Sequence, residues 1–183
     1  QVRAQYEVDY YYFDTPNKAL IKNNQTARIR SISSSDYKNF EFKLNTDIIK
    51  QKNEEVITSV SAFLKPTDID NITAERAISL TQNTLPPSII KKITKITQEK
   101  SIEIVALYKI KRKYLTINEI TIKADIGTYE NDSYYEISVY ANNKEEAKEK
   151  MKDIFKSLNI SYNKLPLFFN STIFNQFFFG FNE

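Results

Sequence analysis

Charged side chains recur at every second position along two consecutive segments, and their types could bind phosphate or a hard metal ion. Arg28 and Arg30 stand in the first segment, and Glu41 and Lys43 stand in the second. Side chains of a β-strand alternate between its two faces, so each pair shares one face and apolar residues occupy the other. Guanidinium and ammonium groups match phosphate oxygens, whereas a carboxylate suits Mg²⁺ or Mn²⁺. The spacing therefore predicts a polar strand face able to hold a polyanion.

The absence of histidine and cysteine narrows the chemistry further. It excludes disulfides, thiol nucleophiles, zinc sites of the usual ligand types and every mechanism that uses a histidine base. Any catalysis would have to rest on carboxylates, Lys, Arg and Tyr, together with a hard cation bound by oxygen ligands.

Length and charge bound the organisation of the chain. Its 183 residues fit a single domain, residues 1–183, and the net charge of +3 gives no strong signal for nucleic acid. No stretch approaches the apolar length of a membrane span, so we predict an intracellular protein without one. The chain starts at Gln1 without a signal-peptide pattern. A removed N-terminal segment would suit a mitochondrial protein that has lost its presequence.

Alternation and turn residues predict an antiparallel arrangement of strands. Pro16 ends a tyrosine-rich first strand at the Asp14-Thr15-Pro16 turn. A hairpin follows, then a polar loop, and then further strands. The predicted ranges are 4–13 for the first strand, 26–43 for the hairpin, 46–53 for the loop, and 54–64, 102–117, 119–125 and 134–140 for the later strands.

Two regions change to helical periodicity. The first is an insertion at about 67–100, where Asn71 or Thr73 could cap a helix that includes Ile78, followed by a second helix over 88–99. The second region begins after residue 142, where an asparagine followed three positions later by glutamate predicts a capping box. We expect both helical regions to supply packing surfaces rather than chemistry.

The later strands also carry one charged face each, which leaves two architectures open. Lys109 and Lys111 share a face, with Arg112 on the other, while Asp125 and Glu136 lie on the following strands. In a sandwich, the charged faces would be the solvent side. In a closed antiparallel barrel they would line the interior, with helices covering the outside.

The order of these motifs resembles the CYTH domain, the fold of triphosphate tunnel metalloenzymes. The resemblance spans about residues 10–160 and includes YFDTP, RIR, the strand that ends at Lys43, KIKR, the KAD strand that ends at Asp125, and YYEIS. It implies an α+β fold in which an antiparallel β-barrel forms a tunnel and helices pack outside.

The same resemblance implies site residues. It places Arg28, Arg30, Lys43 and Lys111 as phosphate ligands and Asp125 and Glu136 in the metal region. We add Lys109 to the phosphate set because it shares a strand face with Lys111, and Glu41 to the metal set because it shares one with Lys43. The expected ligand is triphosphate or another polyanion, with Mg²⁺ or Mn²⁺ as cofactor if the domain is active.

The chain departs from the family pattern at the metal carboxylates. The E-x-E-x-K strand that precedes YxDTP has no counterpart, Ser138 stands where a second carboxylate is usual, and Thr172 replaces a lysine. We therefore expect an eroded site in a non-catalytic pseudoenzyme, which serves as a structural or polyanion-binding subunit of a larger assembly. The alternative is an active metal-dependent triphosphatase, acting on inorganic, thiamine or nucleotide triphosphate, whose first strand is missing from this chain.

The C-terminal tail, about 165–183, is unusually aromatic. Phe174, Phe177, Phe178 and Phe181 follow helical spacing, so a helix there would carry an aromatic stripe. The stripe could pack on the domain's own barrel or bind a partner protein. We expect a protein interface, because exposed apolar patches mark such surfaces.

Overall fold

Eight strands form one antiparallel sheet in a computed structural model that describes residues 2–34, 37–51, 54–129 and 132–159. The strand order is β4-β3-β2-β1-β6-β7-β8, and the short β5 pairs with β6. The strands are β1 (Val2–Asp14), β2 (Thr26–Ser34), β3 (Tyr37–Gln51), β4 (Glu54–Phe63), β5 (Ala77–Ser79), β6 (Ser101–Ile117), β7 (Ile120–Tyr129) and β8 (Asp132–Val139). The helices are α1 (Ala19–Lys22), α2 (Pro66–Glu75), α3 (Pro87–Thr97) and α4 (Lys144–Ser157).

The predicted α+β class and tunnel-like fold are confirmed, with one refinement. The sheet curls strongly, but within the described ranges its two edge strands, β4 and β8, do not pair with each other. The closed barrel expected from sequence is therefore an open, curled sheet in this structure.

The main hydrophobic core lies on one face of the sheet, where the first three helices cover it. Ile29 of β2 and Phe42 of β3 are buried there with Leu20 of α1, Ile72 of α2 and Ile93 of α3. Each such side chain contributes roughly 1.5–3 kcal/mol when it is fully buried. This core fixes which face of β1, β2 and β3 points away from the helices.

The YFDTP motif stabilises the turn that joins β1 to α1. The buried Asp14 carboxylate accepts hydrogen bonds from the backbone N–H groups of Thr15, at 2.7 Å, and Leu20, at 2.9 Å. Its second oxygen accepts from the N–H of Ile21 at 3.1 Å. The aspartate of this motif therefore satisfies backbone donors that a short helix leaves open.

Two segments differ from the sequence prediction. The polar stretch 46–53 was expected to be a loop, but β3 continues to Gln51 and pairs with β4. The helix expected to include Ile78 begins at Pro66 instead, ends before Arg76, which has a φ of 53°, and gives way to β5. Proline at the first helical position is a start signal, while Ile78 pairs with Ile102 of β6.

The chain divides into two compact units, residues 1–138 and residues 139–183. The described part of the second unit contains α4, which begins after Asn143 as predicted. The Asn143 side chain accepts a hydrogen bond from the Glu146 N–H at 2.9 Å, and the Glu146 carboxylate accepts from the Asn142 N–H at 2.8 Å. In a standard capping box, the Glu146 carboxylate would accept from the N–H of the cap residue itself, Asn143. Here it accepts from the residue before it.

Candidate functional site

A continuous set of charged residues occupies the sheet face opposite the core, which we call the inner face. Directly opposed residues of adjacent strands share a face, and Arg30 lies opposite Tyr10, which lies opposite Tyr108. Arg112 is four residues beyond Tyr108 and lies opposite Asp125. Among the side chains that the structure describes, the charged residues of the inner face are Arg28, Arg30, Glu41, Lys43, Arg112, Lys123, Asp125 and Glu136.

One part of this face, the cationic region, consists of Arg28, Arg30, Glu41 and Lys43 on β2 and β3. Arg28 lies directly opposite Lys43, so two like charges are cross-strand neighbours. Arg30 donates a 2.6 Å hydrogen bond to the Glu41 carboxylate. The Nε atoms of Arg28 and Arg30 are buried and have no hydrogen-bond partner among the described residues. Three cations and one carboxylate leave this region with a net charge of +2.

Tyrosines of β1 border the cationic region. The Arg28 guanidinium lies over the Tyr10 ring, 4.9 Å from its centroid, and the rings of Tyr10 and Tyr12 stack at 6.3 Å. Burial raises the pKa of the Tyr12 phenol above its ordinary value of 10.0, although the neighbouring Arg28 acts in the opposite direction. Tyr12 is therefore uncharged near neutral pH and does not cancel the charge of Arg28.

The other part, the paired region, consists of Arg112, Lys123, Asp125 and Glu136 on β6, β7 and β8. Arg112 holds Asp125 in a bidentate pair, with Nε–Oδ1 and Nη2–Oδ2 distances of 2.8 Å each. The Asp125 side chain is only 2% exposed. Burial alone would lower the pKa of Arg112, but the hydrogen bonds to Asp125 raise it, so the Arg112 guanidinium stays charged.

Lys123 connects the two carboxylates of the paired region. Its Nζ lies 3.4 Å from Asp125 Oδ2 and 3.3 Å from Glu136 Oε1. The Ser138 hydroxyl donates a 2.8 Å hydrogen bond to the same Glu136 oxygen. Two cations and two carboxylates give the paired region a net charge of zero.

The structure brings together most, but not all, of the site residues expected from sequence. Arg28, Arg30 and Lys43 lie on the inner face with Glu41, and Asp125 and Glu136 lie farther along it. Lys109 and Lys111 do not join them. They are exposed on the opposite, outer face, where they lie across from Asp9 and Glu7.

Sequence reasoning did not assign two inner-face cations, Arg112 and Lys123. Alternation separates Arg112 from Lys111, but it does not say which of the two faces inward. Lys123 shares a strand face with Asp125 at a spacing of two, and this spacing was the available signal. The register of β6 with β7 is what places Arg112 opposite Asp125, whereas the contact of Lys123 with Asp125 lies within β7.

The predicted metal residues are already engaged by cations. Glu41 pairs with Arg30, Asp125 with Arg112 and Lys123, and Glu136 with Lys123. Among the residues that the structure describes, no group of three or more His, Cys, Asp or Glu side chains could hold a metal ion. A resident divalent cation does not fit these side chains as they are arranged.

Two further expectations concern the chain outside the sheet. The aromatic tail, about 165–183, and Thr172 within it lie outside the described residues. In the described ranges, no helix has the length and apolar character that would let it cross a bilayer.

Comparison with known proteins identifies the fold. A family profile described as the CYTH domain matches residues 4–166. A solved structure from Hippeastrum, described as an adenylyl cyclase candidate with a dominant triphosphatase activity, superposes with a TM-score of 0.70 at 14% identity, covering 96% of this chain and 84% of that one. A proposed adenylate cyclase from Bacillus halodurans superposes with a TM-score of 0.60 at 17% identity, covering 93% and 82%. No curated protein sequence matches the chain significantly.

Proposed function

Because the chain belongs to the CYTH domain family, we propose that the cationic region of its inner face binds triphosphate or a similar linear polyanion, and that the chain acts by binding rather than by hydrolysis. This family includes proteins that act on triphosphate compounds. The proposal concerns which residues of this chain hold the phosphates and which do not.

The observation that carries the proposal is the opposition of Arg28 and Lys43 across β2 and β3. Like charges that are directly opposed destabilise a sheet, and an anion bound between them would relieve the repulsion. The buried Nε atoms of Arg28 and Arg30 add two donors that lack partners in the described part of the chain. Buried donors are normally satisfied, and a phosphate oxygen is a strong acceptor for a guanidinium.

The proposal against hydrolysis rests on the paired region. Phosphoryl transfer depends on positioning and on charge stabilisation, and a divalent cation usually bridges the phosphates. Here Asp125 and Glu136 are neutralised by Arg112 and Lys123, and Ser138 stands where a second carboxylate is usual in the family. We therefore interpret the chain as a polyanion-binding member of the family with an eroded metal site.

Titration calorimetry with inorganic tripolyphosphate tests the binding proposal. We expect saturable one-to-one binding, weakened about tenfold or more by Arg28→Gln, which corresponds to about 1.4 kcal/mol. Lys109→Gln and Lys111→Gln are matched controls, because they remove the same number of charges from the outer face. The proposal fails if the outer-face variants weaken binding as much as Arg28→Gln does.

Metal-dependent hydrolysis is the second candidate, and the 0.70 superposition on a protein described as a triphosphatase favours it. The measurement is phosphate release from tripolyphosphate with Mg²⁺ or Mn²⁺ present. Turnover of about 1 s⁻¹ or more is typical of enzymes, and such a rate would establish hydrolysis if Glu136→Gln abolished it. We expect no release above background.

The role of the aromatic tail stays a prediction from sequence. A chain truncated after Lys164 should retain tripolyphosphate binding but lose any protein partner that co-purifies with the full chain. Collapse of thermal stability in the truncated chain, with no partner recovered by the full chain, would instead assign the tail to the core.

A further inference from the structure

The paired region contains a lysine, Lys123, that contacts both of its carboxylates. The Lys123 ammonium lies between two carboxylates from different strands, 3.4 Å from Asp125 Oδ2 and 3.3 Å from Glu136 Oε1. Its side chain is 13% exposed, compared with 2% for Asp125 and 20% for Glu136. The ammonium is thus largely enclosed with both of its acidic partners.

We propose that Lys123 is a built-in cation, which takes the place between Asp125 and Glu136 that a divalent ion would otherwise occupy. The inner face would then hold phosphate-rich ligands without Mg²⁺ or Mn²⁺. The binding of phosphate-rich ligands without a metal ion rests on the proposed function. The replacement of the metal ion by Lys123 does not.

Charge balance supports this assignment. Arg112 and Lys123 contribute two positive charges, and Asp125 and Glu136 contribute two negative charges, so no net charge remains to attract a divalent ion. Such an ion would also lie within a few ångströms of both cations in a mostly enclosed site, where like-charge repulsion is stronger than in water.

The geometry of the ligands points the same way. Mg²⁺ needs oxygen ligands at roughly 2.0–2.1 Å in near-octahedral geometry. Both Asp125 oxygens already accept hydrogen bonds of 2.8 Å from Arg112, and Glu136 Oε1 accepts from Lys123 and from Ser138. A metal ion would have to displace these donors, whereas the ammonium supplies positive charge and hydrogen bonds together.

The role as a built-in cation differs from an ordinary ion pair in one measurable way. If Asp125 and Glu136 do not form a metal position, the removal of Lys123 would lower stability without creating a saturable metal site. If Lys123 replaces a metal ion, its removal leaves two adjacent carboxylates with one remaining cation, Arg112. The variant should then gain affinity for a divalent ion.

The test measures Mn²⁺ binding to the full chain by electron paramagnetic resonance, with no phosphate compound present. We expect Lys123→Gln to bind one Mn²⁺ at least about tenfold more tightly than the wild type. Lys123→Arg, which keeps the charge, and Lys111→Gln, which removes an outer-face lysine, should both behave like the wild type. Equal affinities for the folded Lys123→Gln variant and the wild type would overturn the proposal.

The wild-type chain decides the question even if Lys123→Gln does not fold. The absence of a saturable Mn²⁺ site supports the built-in cation, whereas one tight site that Glu136→Gln removes contradicts it. Tripolyphosphate titrations in EDTA and in Mg²⁺ then test the consequence for the ligand. Binding that requires Mg²⁺ would contradict the proposal, and binding in EDTA would support it. Failure to bind in both conditions would refute the proposed binding function and leave the Mn²⁺ result standing.

Discussion

The two regions of the inner face contain the same residue types in opposite arrangements. In the paired region, Arg112 and Lys123 each contact a carboxylate, and the net charge is zero. In the cationic region, Arg28 lies opposite Lys43, and two buried guanidinium atoms lack partners among the described residues. The first arrangement is complete within the chain, whereas the second becomes favourable when an anion is added.

The charges of the paired region therefore stabilise the sheet, whereas those of the cationic region are available to bind a ligand. A buried charge requires a partner, and removing that partner is expensive in free energy. Half-buried like charges on neighbouring strands reduce stability by smaller amounts, which a bound polyanion can offset. Four measurements test this difference, and they are described in order of decreasing expected change in free energy.

Asp125→Ala should have the largest effect, because it removes the bidentate carboxylate partner of the largely buried Arg112. We expect a loss of about 3–5 kcal/mol in the free energy of unfolding, measured with denaturant. Glu149→Ala is the control, since its pair with Lys152 is 68% and 53% exposed, and such pairs contribute about 0–1 kcal/mol. A similar small effect for both variants would show that the paired region is not structural.

Lys43→Gln should affect ligand binding rather than the stability of the free protein. The free protein should keep its stability or gain up to about 1 kcal/mol, because the repulsion with Arg28 is relieved. At a tripolyphosphate concentration of about 100 times the Kd, the wild type should gain about 2.7 kcal/mol, and the variant should lose most of that gain. Thermal unfolding with and without ligand measures both. A destabilised free variant that still responds fully to ligand would reverse the assignment.

Ionic strength should have a smaller effect, and it should act on the cationic region more than on the paired region. Raising the ionic strength from about 0.1 M to about 1 M shortens the Debye length from about 10 Å to about 3 Å. Tripolyphosphate affinity should fall about tenfold, or about 1.4 kcal/mol, because the cationic region is partly open to solvent. The destabilisation caused by Asp125→Ala should change little, since buried pairs are screened weakly. Equal salt sensitivity of both quantities would contradict the comparison.

Asp9, on the outer face, is a carboxylate whose burial is only partly offset by a neighbouring cation, Lys109. Its effect on stability should therefore depend on pH. Burial raises its pKa above the ordinary value of 3.8, while Lys109 opposes this shift, Glu7 adds to it and Lys38 opposes it. A raised pKa in the folded state means that stability is full below the unfolded value and is lost as pH rises through the folded value. Asp9→Asn should therefore stabilise the protein near neutral pH, by about 0.5 kcal/mol or less.

The comparison of denaturation curves at several pH values checks this expectation. The stabilisation by Asp9→Asn should shrink as the pH falls towards 3.8, where both states of the wild type take up the proton. A benefit that stays constant with pH, or a loss of stability near neutral pH, would show that Lys109 compensates Asp9 as fully as Arg112 compensates Asp125.

Local patterns in the sequence predicted most of the fold. The alternation of polar and apolar residues located β1, the hairpin of β2 and β3, and the later strands β6, β7 and β8. The asparagine cap located the start of α4. The errors occurred where a distant partner decided the outcome. Ile78 belongs to β5 because it pairs with Ile102 of β6. Residues up to Gln51 are extended because they pair with β4, although their sequence has no clear alternation.

The candidate site was predictable only in part, for a similar reason. Arg28, Arg30 and Lys43 are on one face because side chains alternate along a strand, and this is a local property. On β6, however, both faces carry cations, with Lys109 and Lys111 on one and Arg112 on the other. Alternation could not choose between them.

The amino-acid sequence alone was enough to indicate the family, most of the strands and the charges available to the site. Which of those charges meet depends on the fold. The pairing of Arg112 with Asp125 and the placement of Lys123 between two carboxylates depend on the register of β6, β7 and β8. Register is set by backbone pairing between strands and by burial of one face, and a shift of one residue would send every side chain to the opposite side. No pattern within a single strand contains that information.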